Sequence, residues 1–279
     1  MSAIFRHEPR STPTQARTIA VVGNPNTGKT TLFNALTGLS QRVGNYAGVT
    51  LERKSGRTSL PDNSEAELLD LPGTYSLAAS SPDEMIAVDV LLGQRLDTSA
   101  VSAVLAVVDA TNLRRSLYLV SQVIEIGLPV VVALNMTDLA RSQRIDIDTT
   151  ELSKRLGVAV VSICASRREG LESLRQALLA SLQIDRVSYP SLPTFPRALR
   201  EQVDSLIRLS AKETEEELSK VEALRALVDV GGHAEMRLLE RLGPERPRAL
   251  EAIRNAIGFR VPLASVETDS RYLWIDGIL

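Results

Sequence analysis

The chain has 279 residues, of which 44% are hydrophobic and 24% are charged, the balance of a soluble globular protein with one or two domains. The formal net charge of −2 provides no basic field for nucleic acid or for an anionic membrane surface, and no apolar run is long enough to cross a bilayer. One cysteine excludes an internal disulfide framework and favours the cytosol, and two distant histidines provide no thiolate and imidazole metal site.

Residues 1–16 are polar and contain prolines, which predicts a disordered leader. The apolar run Ile19–Val22 follows and predicts a buried strand. The motif G-x-x-x-x-G-K-T then occupies positions 23–30, and the residues after it predict a helix to about Leu36. A strand, a glycine-rich loop and a helix start in this order predict a phosphate-binding loop.

This loop has the residue types that bind a nucleoside triphosphate. Gly23 and Gly28 allow the backbone to turn tightly and to bring its N–H groups to phosphate oxygens. We expect Lys29 to reach the β- and γ-phosphates, and the Thr30 hydroxyl to bind Mg²⁺. The residues expected to bind the phosphates are Gly23, Asn24, Pro25, Asn26, Thr27, Gly28, Lys29, Thr30 and Thr31.

Strand and helix patterns then alternate as far as residue 186. The stretch Gln41–Thr50 contains glycines and predicts a mobile loop, whereas Leu51–Leu60 predicts an edge strand. A short strand ends at the D-x-x-G of residues 70–73. The alternation predicts an α/β domain over residues 17–186, with a mostly parallel sheet that helices cover on both faces. The further predicted elements are a helix from Ser81 to about Gly93, a strand Val101–Val108, a helix Leu113–Ile126, a strand Pro129–Leu134, a helix Thr150–Leu156, a strand Val158–Ile163 and a helix Gly170–Leu182.

The last third of the chain has a different pattern. Three prolines fall within residues 187–196, which predicts a semi-rigid linker. Residues 197–279 show helical periodicity with glycine punctuation and no strand run, which predicts a small all-α domain of four or five helices. The acidic run Glu213–Glu217 is interpreted as a solvated helix start rather than as a binding tract.

The run Asn135-Met136-Thr137-Asp138 follows an apolar strand and favours guanine as the base. A carboxylate at Asp138 can accept hydrogen bonds from both N1–H and N2–H of guanine, and adenine has no such donor pair. Asn135 is expected to brace the neighbouring loops, and Met136 to make apolar contact with the base. The order of the motifs therefore predicts a GTP-binding domain.

Three segments carry a resemblance to a known family: residues 23–30, residues 43–50 and residues 70–77. Together with the helical residues that end in Arg271–Ile275, they resemble the cytosolic N-terminal region of FeoB, the bacterial ferrous iron transporters. The resemblance covers the chain from about Thr18 to its end. It implies a P-loop GTPase domain, a helical domain and a membrane-embedded part that follows outside this chain.

The same resemblance implies roles for individual residues. Thr50 matches the threonine that joins Mg²⁺ when the γ-phosphate is present, Asp70 matches the carboxylate near Mg²⁺, and Gly73 matches the backbone N–H that senses the γ-phosphate. The implied K⁺ site comprises Asn26 and the backbone carbonyls of Gly44, Asn45 and Tyr46. The last guanine-contacting loop corresponds to Cys164, Ala165 and Ser166, with Cys164 expected to be a small buried packing residue.

The reaction implied by these residues is GTP hydrolysis, for which Lys29, Thr50, Gly73 and Asn26 are the expected catalytic positions. Thr74 follows Gly73, where Ras-like enzymes carry a water-orienting glutamine, and we therefore expect slow intrinsic turnover. A K⁺ ion at Asn26 could supply part of the charge that an arginine finger provides. The arginines that could act as fingers are interpreted as solvated surface residues; they are Arg42, Arg114 and Arg115.

The favoured function is a GTP-hydrolysing regulatory module of an iron(II) transport protein at the cytoplasmic face of the bacterial inner membrane. We expect a fragment, with GTP or GDP and the membrane part of the full-length protein as its partners and no nucleic acid. A homo-oligomer of this chain also remains an open alternative. Two alternatives also remain: a stand-alone GTPase of the ribosome- or RNA-processing class, and a GDP-holding switch with negligible turnover.

Overall fold

A computed structural model describes residues 17–38, 41–47, 49–79, 81–95, 97–184, 187–214, 217–242, 247–258 and 261–279. The predicted leader, residues 1–16, lies outside the described residues. The first part of the chain alternates between strands and helices. Its elements are β1 Arg17–Gly23, α1 Lys29–Thr37, β2 Gln41–Asn45, β3 Glu52–Ser59, β4 Glu65–Asp70, α2 Pro82–Leu91, β5 Val101–Asp109, α3 Leu113–Glu125, β6 Val130–Asn135, α4 Thr137–Ser142, α5 Thr149–Leu156, β7 Ala159–Ser162 and α6 Leu171–Ser181.

These seven strands form one sheet in the order β2-β3-β4-β1-β5-β6-β7. Five neighbouring strands are parallel to one another: β4, β1, β5, β6 and β7. In contrast, β2 and β3 run antiparallel to their neighbours. Alternate residues of β1 enter two apolar clusters, Ile19 and Val21 on one face and Ala20 and Val22 on the other. Helices cover both faces, because the parallel strands are apolar on both sides. The structure thus confirms the predicted α/β fold with a mostly parallel sheet.

Two predictions at one edge of the sheet are wrong. Residues Gln41–Asn45 form the antiparallel edge strand β2, where a mobile loop was expected. The predicted edge strand Leu51–Leu60 appears as β3, but it lies inside the sheet because β2 pairs with it. All five residues of β2 are exposed. Backbone bonds to β3 hold it, together with hydrogen bonds from the Gln41 side chain to Asn34 and Thr37 of α1. No apolar alternation therefore marks this strand in the sequence.

The last part of the chain is helical, and the described residues contain five helices there. They are α7 Arg197–Glu213, α8 Lys220–Val228, α9 His233–Leu242, α10 Pro247–Ile257 and α11 Leu263–Ile278. Helices α7 to α10 enclose their own apolar cluster, which includes Leu199, Leu206 and Leu227. In contrast, α11 places Ile275 and Ile278 in the cluster that covers α3 on the sheet. The last helix therefore packs against the α/β part of the molecule.

The interpretation of the acidic run as a helix start is also wrong. Glu213 ends α7 and the Thr214 N–H donates to the Ser210 carbonyl, so this stretch is a helix end rather than a helix start. Glu215 and Glu216 lie outside the described residues. The next helix begins later, where Ser219 and Glu222 form a reciprocal capping box.

None of the helices in the described ranges is long and apolar enough to cross a membrane.

Candidate nucleotide site

The glycines of the phosphate loop lie where a side chain cannot fit. Gly28 has φ +81°, and a β-carbon built on it would lie 2.3 Å from the Asn135 side-chain nitrogen. A β-carbon on Gly23 would lie 2.7 Å from the Val107 carbonyl oxygen of β5. Thr27 closes the loop, since its hydroxyl donates to the Asn24 carbonyl over 2.9 Å. The loop is therefore packed closely against the carboxyl ends of β5 and β6.

One buried side chain, that of Asn135, joins the phosphate loop to the last motif loop. Its Nδ2 donates to the Thr27 carbonyl over 2.9 Å, and its Oδ1 accepts from the Ala165 N–H over 3.0 Å. Nearby, the Thr137 hydroxyl donates to the Ile163 carbonyl over 2.9 Å. The bracing expected of Asn135 is present in these bonds. Loops from three parallel strands meet at this edge.

Lys29 and Asp70 form an ion pair within the site. Lys29 begins α1, and Asp70 ends β4 directly beside Val21 of β1. Both side chains are largely buried, which leaves each charge dependent on its partner. Thr30 follows Lys29 on α1. A hydroxyl and a carboxylate are oxygen donors of the kind that Mg²⁺ takes beside nucleotide phosphates, so the residues present fit this metal.

The segment after Asp70 lies against the phosphate loop. A β-carbon on Gly73 would lie 3.4 Å from the Pro25 nitrogen, and the Thr74 N–H donates to the Gly23 carbonyl over 3.2 Å. The Thr74 hydroxyl donates to the Ser76 carbonyl over 2.6 Å and lies 3.1 Å from Glu84 Oε1. Because Thr74 is buried and its hydroxyl is engaged inside the protein, it does not face a nucleotide in this arrangement.

The residues predicted to contact guanine gather around Asp138. Asp138 lies 3.4 Å from a guanidinium nitrogen of Arg167. Partial desolvation raises the pKa of Asp138, but hydrogen bonds from the Leu139 N–H and the Cys164 thiol, with the Arg167 charge, bring it below its ordinary value. Cys164 is buried, as expected, and its sulfur lies 3.4 Å from the Ser166 hydroxyl. Met136 precedes α4 in a left-handed conformation with φ 62°. This side of the site holds an ionised carboxylate acceptor.

Residues 43–50, here called the switch I segment, include the predicted Mg²⁺ ligand Thr50 and the predicted K⁺ ligands of the loop. No hydrogen bond among the described residues joins this segment to the phosphate loop. Gly44 lies in β2 opposite Arg53. The Tyr46 carbonyl accepts from the Val49 N–H over 3.3 Å, and Thr50 is exposed. Asn26 follows β1, and two strands, β3 and β4, separate β1 from β2 in the sheet. The structure therefore does not bring Asn26 together with Gly44 and Asn45.

Residues after α2 hold this segment at the sheet edge. The Asp97 carboxylate accepts from the Ala47 N–H over 2.9 Å, and Arg95 donates to the Ala47 carbonyl over 3.0 Å. The Arg95 guanidinium lies 5.2 Å from the centre of the Tyr46 ring. Burial raises the pKa of Tyr46 to about 12. These contacts favour the strand form of the segment.

Arg114 and Arg115 are exposed, as expected of surface arginines, but each contacts a specific partner. Arg114 forms a two-point ion pair with Asp276 of α11 and stacks on Tyr272, 4.3 Å from its ring centre. Arg115 lies 4.2 Å above the Tyr75 ring. Arg42 is exposed on β2, as expected. The partners of Arg114 are more than 150 residues away in sequence, so no local pattern predicts them.

Sequence reasoning also missed two residues that support the loop after Gly73. Glu84 lies against the Thr74 hydroxyl, and Gln122 of α3 accepts a hydrogen bond from the Leu77 N–H over 2.7 Å. Neither residue belongs to a nucleotide-binding motif. Gln122 is buried and Glu84 is half-buried on a helix, and the sequence alone reveals neither position.

The family model for ferrous iron transport protein B matches residues 17–178, more than half of the chain. The chain belongs to the FeoB family. The Fe(2+) transporter FeoB of Salmonella typhimurium is 50% identical over 165 residues, which cover 58% of this chain and 21% of that protein. FeoB of Escherichia coli strain K12 matches with the same identity and coverage. The chain thus spans about a fifth of the length of these curated relatives.

Solved FeoB structures match nearly the whole chain. A mutant of S. thermophilus NFeoB bound to mGDP is 34% identical, with a TM-score of 0.80 and coverage of 95% of this chain and 98% of that one. The cytosolic domain of L. pneumophila FeoB is 35% identical, with a TM-score of 0.76 and coverage of 94% and 97%. The cytosolic domain of T. maritima FeoB in its GMPPNP form is 29% identical, with a TM-score of 0.78 and the same coverage. The chain therefore has the fold of the FeoB GTP-binding domain, followed by a helical region.

Proposed function

We propose that this chain binds GTP and hydrolyses it to GDP and phosphate, as the regulatory module of an iron(II) transporter. The observation that carries the proposal is the packing of Gly28 beneath Asn135, next to the Lys29–Asp70 ion pair. This packing brings a phosphate loop, a paired cation and the guanine loops to one edge of the sheet. GDP-bound and GMPPNP-bound relatives of the same fold support it.

The phosphate loop and the residues around it bind the phosphates of GTP. Lys29 leaves Asp70 when a triphosphate binds and neutralises charge on the β- and γ-phosphates. Thr30, Asp70 and Thr50 are the residues that would hold Mg²⁺, which supplies charge neutralisation between the phosphates. The backbone N–H groups of residues 26–31 bind phosphate oxygens, and the Gly73 N–H senses the γ-phosphate.

Guanine is bound on the other side of the loop. The ionised Asp138 accepts from N1–H and N2–H of the base, Asn135 keeps the loops in register, and Met136 makes apolar contact. Residues Cys164, Ala165 and Ser166 complete this side. The lowered pKa of Asp138 supports its role as an acceptor at neutral pH.

Turnover without an activator is slow in this proposal, because Thr74 uses its hydroxyl inside the protein and no glutamine follows Gly73. K⁺ held by Asn26 and by the carbonyls of Gly44, Asn45 and Tyr46 would supply positive charge at the phosphates. These carbonyls join Asn26 only after β2 leaves β3, so K⁺ binding requires the switch I segment to move.

The buried Thr74 also supports a second candidate, a switch that retains GDP with negligible turnover. In both candidates, residues 17–186 form the nucleotide-binding domain, residues 187–196 the linker and residues 197–279 the helical domain. We place the module at the cytoplasmic face of the inner membrane, attached to the membrane-embedded part of the full-length transporter.

Steady-state GTP hydrolysis with Mg²⁺, in KCl and in NaCl at equal ionic strength, tests the proposal. We expect slow release of phosphate in NaCl and stimulation in KCl. Asn26→Ala should remove the stimulation, whereas Asn255→Ala, an exposed asparagine on α10, should retain it. Equal turnover of the Asn26 variant and the wild type in KCl would refute the K⁺ site. GDP binding without measurable turnover in either salt would favour the GDP-holding switch.

A further inference from the structure

Gln122 lies in the interior between the loop after Gly73 and the last helix of the chain. Its side-chain oxygen accepts from the Leu77 N–H over 2.7 Å. Its side-chain nitrogen lies 3.3 Å from Glu267 Oε1 of α11 and donates to it. Gln122 is 1% exposed, so both ends of one buried amide are used to join two distant segments.

Glu267 is itself the centre of a buried charged cluster. It pairs with Arg225 of α8 and accepts from Arg271 Nε over 2.6 Å. Arg271 also donates to the Ser121 hydroxyl over 3.1 Å and to Glu125 over 2.5 Å, both on α3. Burial opposes ionisation of Glu267, but the charges of Arg225 and Arg271 hold its pKa below the ordinary value. The carboxylate is therefore a fixed acceptor shared by three helices.

The segment that contains Leu77, which Gln122 binds, also contacts the phosphate loop. Leu77 lies three residues after Thr74, whose N–H donates to the Gly23 carbonyl. In GTPases the segment that senses the γ-phosphate moves when this group is bound or lost. The Leu77 N–H cannot move without breaking its bond to Gln122 or carrying Gln122 with it. A buried amide that is left unpaired is costly, so movement of Gln122 together with Leu77 is favoured over breaking their hydrogen bond.

We infer that Gln122 is a positioning residue that transmits the nucleotide-dependent position of the loop 73–77 to Glu267, and through it to α8 and α11. The inference rests on the proposed GTP binding and adds a defined route between the nucleotide and the helical part. The positions of the loop with and without the γ-phosphate then correspond to two positions of α11. By linkage, the helical part biases the loop to the same extent.

The chain carries its own reporter for this movement. Trp274, its single tryptophan, lies one turn after Arg271 on α11. Its indole N–H donates to the Ser191 hydroxyl over 2.9 Å, outside α11. A shift of α11 relative to this segment changes the hydrogen bond and the solvent exposure of the indole, and hence its emission.

The test compares Trp274 emission of the whole chain saturated with Mg²⁺–GDP and with Mg²⁺–GMPPNP. The variants are Gln122→Met, which has a similar shape and loses both hydrogen bonds, and Gln122→Glu, which can still accept from Leu77 but cannot donate to Glu267 when ionised. Gln176→Met, at an exposed glutamine on α6, is the matched control. Melting curves and binding of a fluorescent GDP confirm that each variant is folded and occupied.

We expect the wild type and the Gln176 variant to show a difference in emission between the two nucleotides, and both Gln122 variants to lose most of it. The ratio of GDP to GMPPNP affinity should also shift by about 5-fold or more, the lower end of usual coupling. If Gln122→Glu behaves as wild type, Gln122 anchors the loop only, and the inference is overturned.

Equal wild-type emission with both bound nucleotides also overturns the inference, whatever the variants do. A chain that binds GTP and hydrolyses it under these conditions would leave the proposed function intact. A chain that binds no guanine nucleotide would overturn both, and the fluorescent GDP measurement separates these results.

Discussion

The side-chain nitrogen of Asn135 occupies the space beside Gly28 that a β-carbon would need, at 2.3 Å from its ideal position. The two residues are 107 positions apart in sequence, and each depends on the other. Asn135 can donate to Thr27 only because residue 28 has no side chain. In return, the Asn135 side chain holds the phosphate loop through its hydrogen bond to the Thr27 carbonyl.

We predict that Gly28→Ala weakens GDP binding by about tenfold or more, which corresponds to about 1.4 kcal/mol. The left-handed backbone costs about 1–2 kcal/mol for alanine, and the contact with Asn135 adds to this cost. Gly93→Ala is the control, since Gly93 also has a positive φ of 69° but a β-carbon added there would have no neighbour within 4 Å. Titration with a fluorescent GDP separates the two variants. Unchanged affinity of the Gly28 variant would contradict the packing argument.

Thr74 provides a second prediction, because it occupies the position of a water-orienting glutamine but has a buried hydroxyl. Thr74→Val retains the shape and loses the bonds to Ser76 and Glu84. We expect the free energy of unfolding to fall by about 1 kcal/mol, and kcat for GTP to stay within about twofold. Urea unfolding and steady-state hydrolysis at saturating GTP measure the two quantities. Thr150→Val, at an exposed threonine on α5, is the control for both.

A loss of kcat by a factor of about 100 in Thr74→Val, the size expected for general acid–base catalysis, would mean that the hydroxyl acts on the reaction.

The third prediction concerns pH and the contact that holds the switch I segment. The Arg95 hydrogen bonds, opposed by partial burial and aided by the Ala47 N–H, lower the pKa of Asp97 from 3.8 to about 2. A carboxyl with a depressed pKa stabilises the folded state above its unfolded pKa, and this stabilisation is lost as the pH falls through the folded pKa. The contribution of Asp97 should therefore be complete at pH 7 and disappear between about pH 4 and pH 2.

The measurement is the free energy of unfolding at pH 7 and at pH 3 for the wild type and for Asp97→Asn. We expect the variant to be less stable at pH 7 and to lose less stability on acidification than the wild type does. Asp269→Asn, at an exposed aspartate on α11, should follow the wild-type profile. Parallel profiles for the wild type and the Asp97 variant would show that this contact does not contribute to stability.

The sequence predicts the centre of this fold well and its margins poorly. Runs such as Val101–Asp109 are apolar on both faces, so they indicate buried parallel strands without further information. Parallel strands bring their carboxyl ends to one edge, and the convergence of the motifs at 23–30, 70–73 and 135–138 follows from that. In contrast, β2 is fully exposed and pairs with β3 through backbone bonds, which leave no pattern in the side chains.

The residues that connect the nucleotide site to the helices could not be predicted for a related reason. Gln122 and Glu267 are 145 positions apart, and each looks like an ordinary polar residue on an amphipathic helix. Only the packing of α11 against α3 shows that both are buried and paired. The packing of α11 also reveals the exposed ion pair between Arg114 and Asp276.

The position of α11 determines where the chain can be divided in experiments. By sequence, α11 follows the proline-rich segment and counts with the helical part, but its Ile275 and Ile278 complete the apolar layer over α3. A truncated protein that stops at the proline-rich segment would expose Tyr118 to water and leave Glu125 without Arg271. A change in GDP release by such a truncated protein would then combine the loss of a regulatory part with damage to α3. Point substitutions on α11 avoid this ambiguity, and a fusion that retains α11 would serve the same purpose.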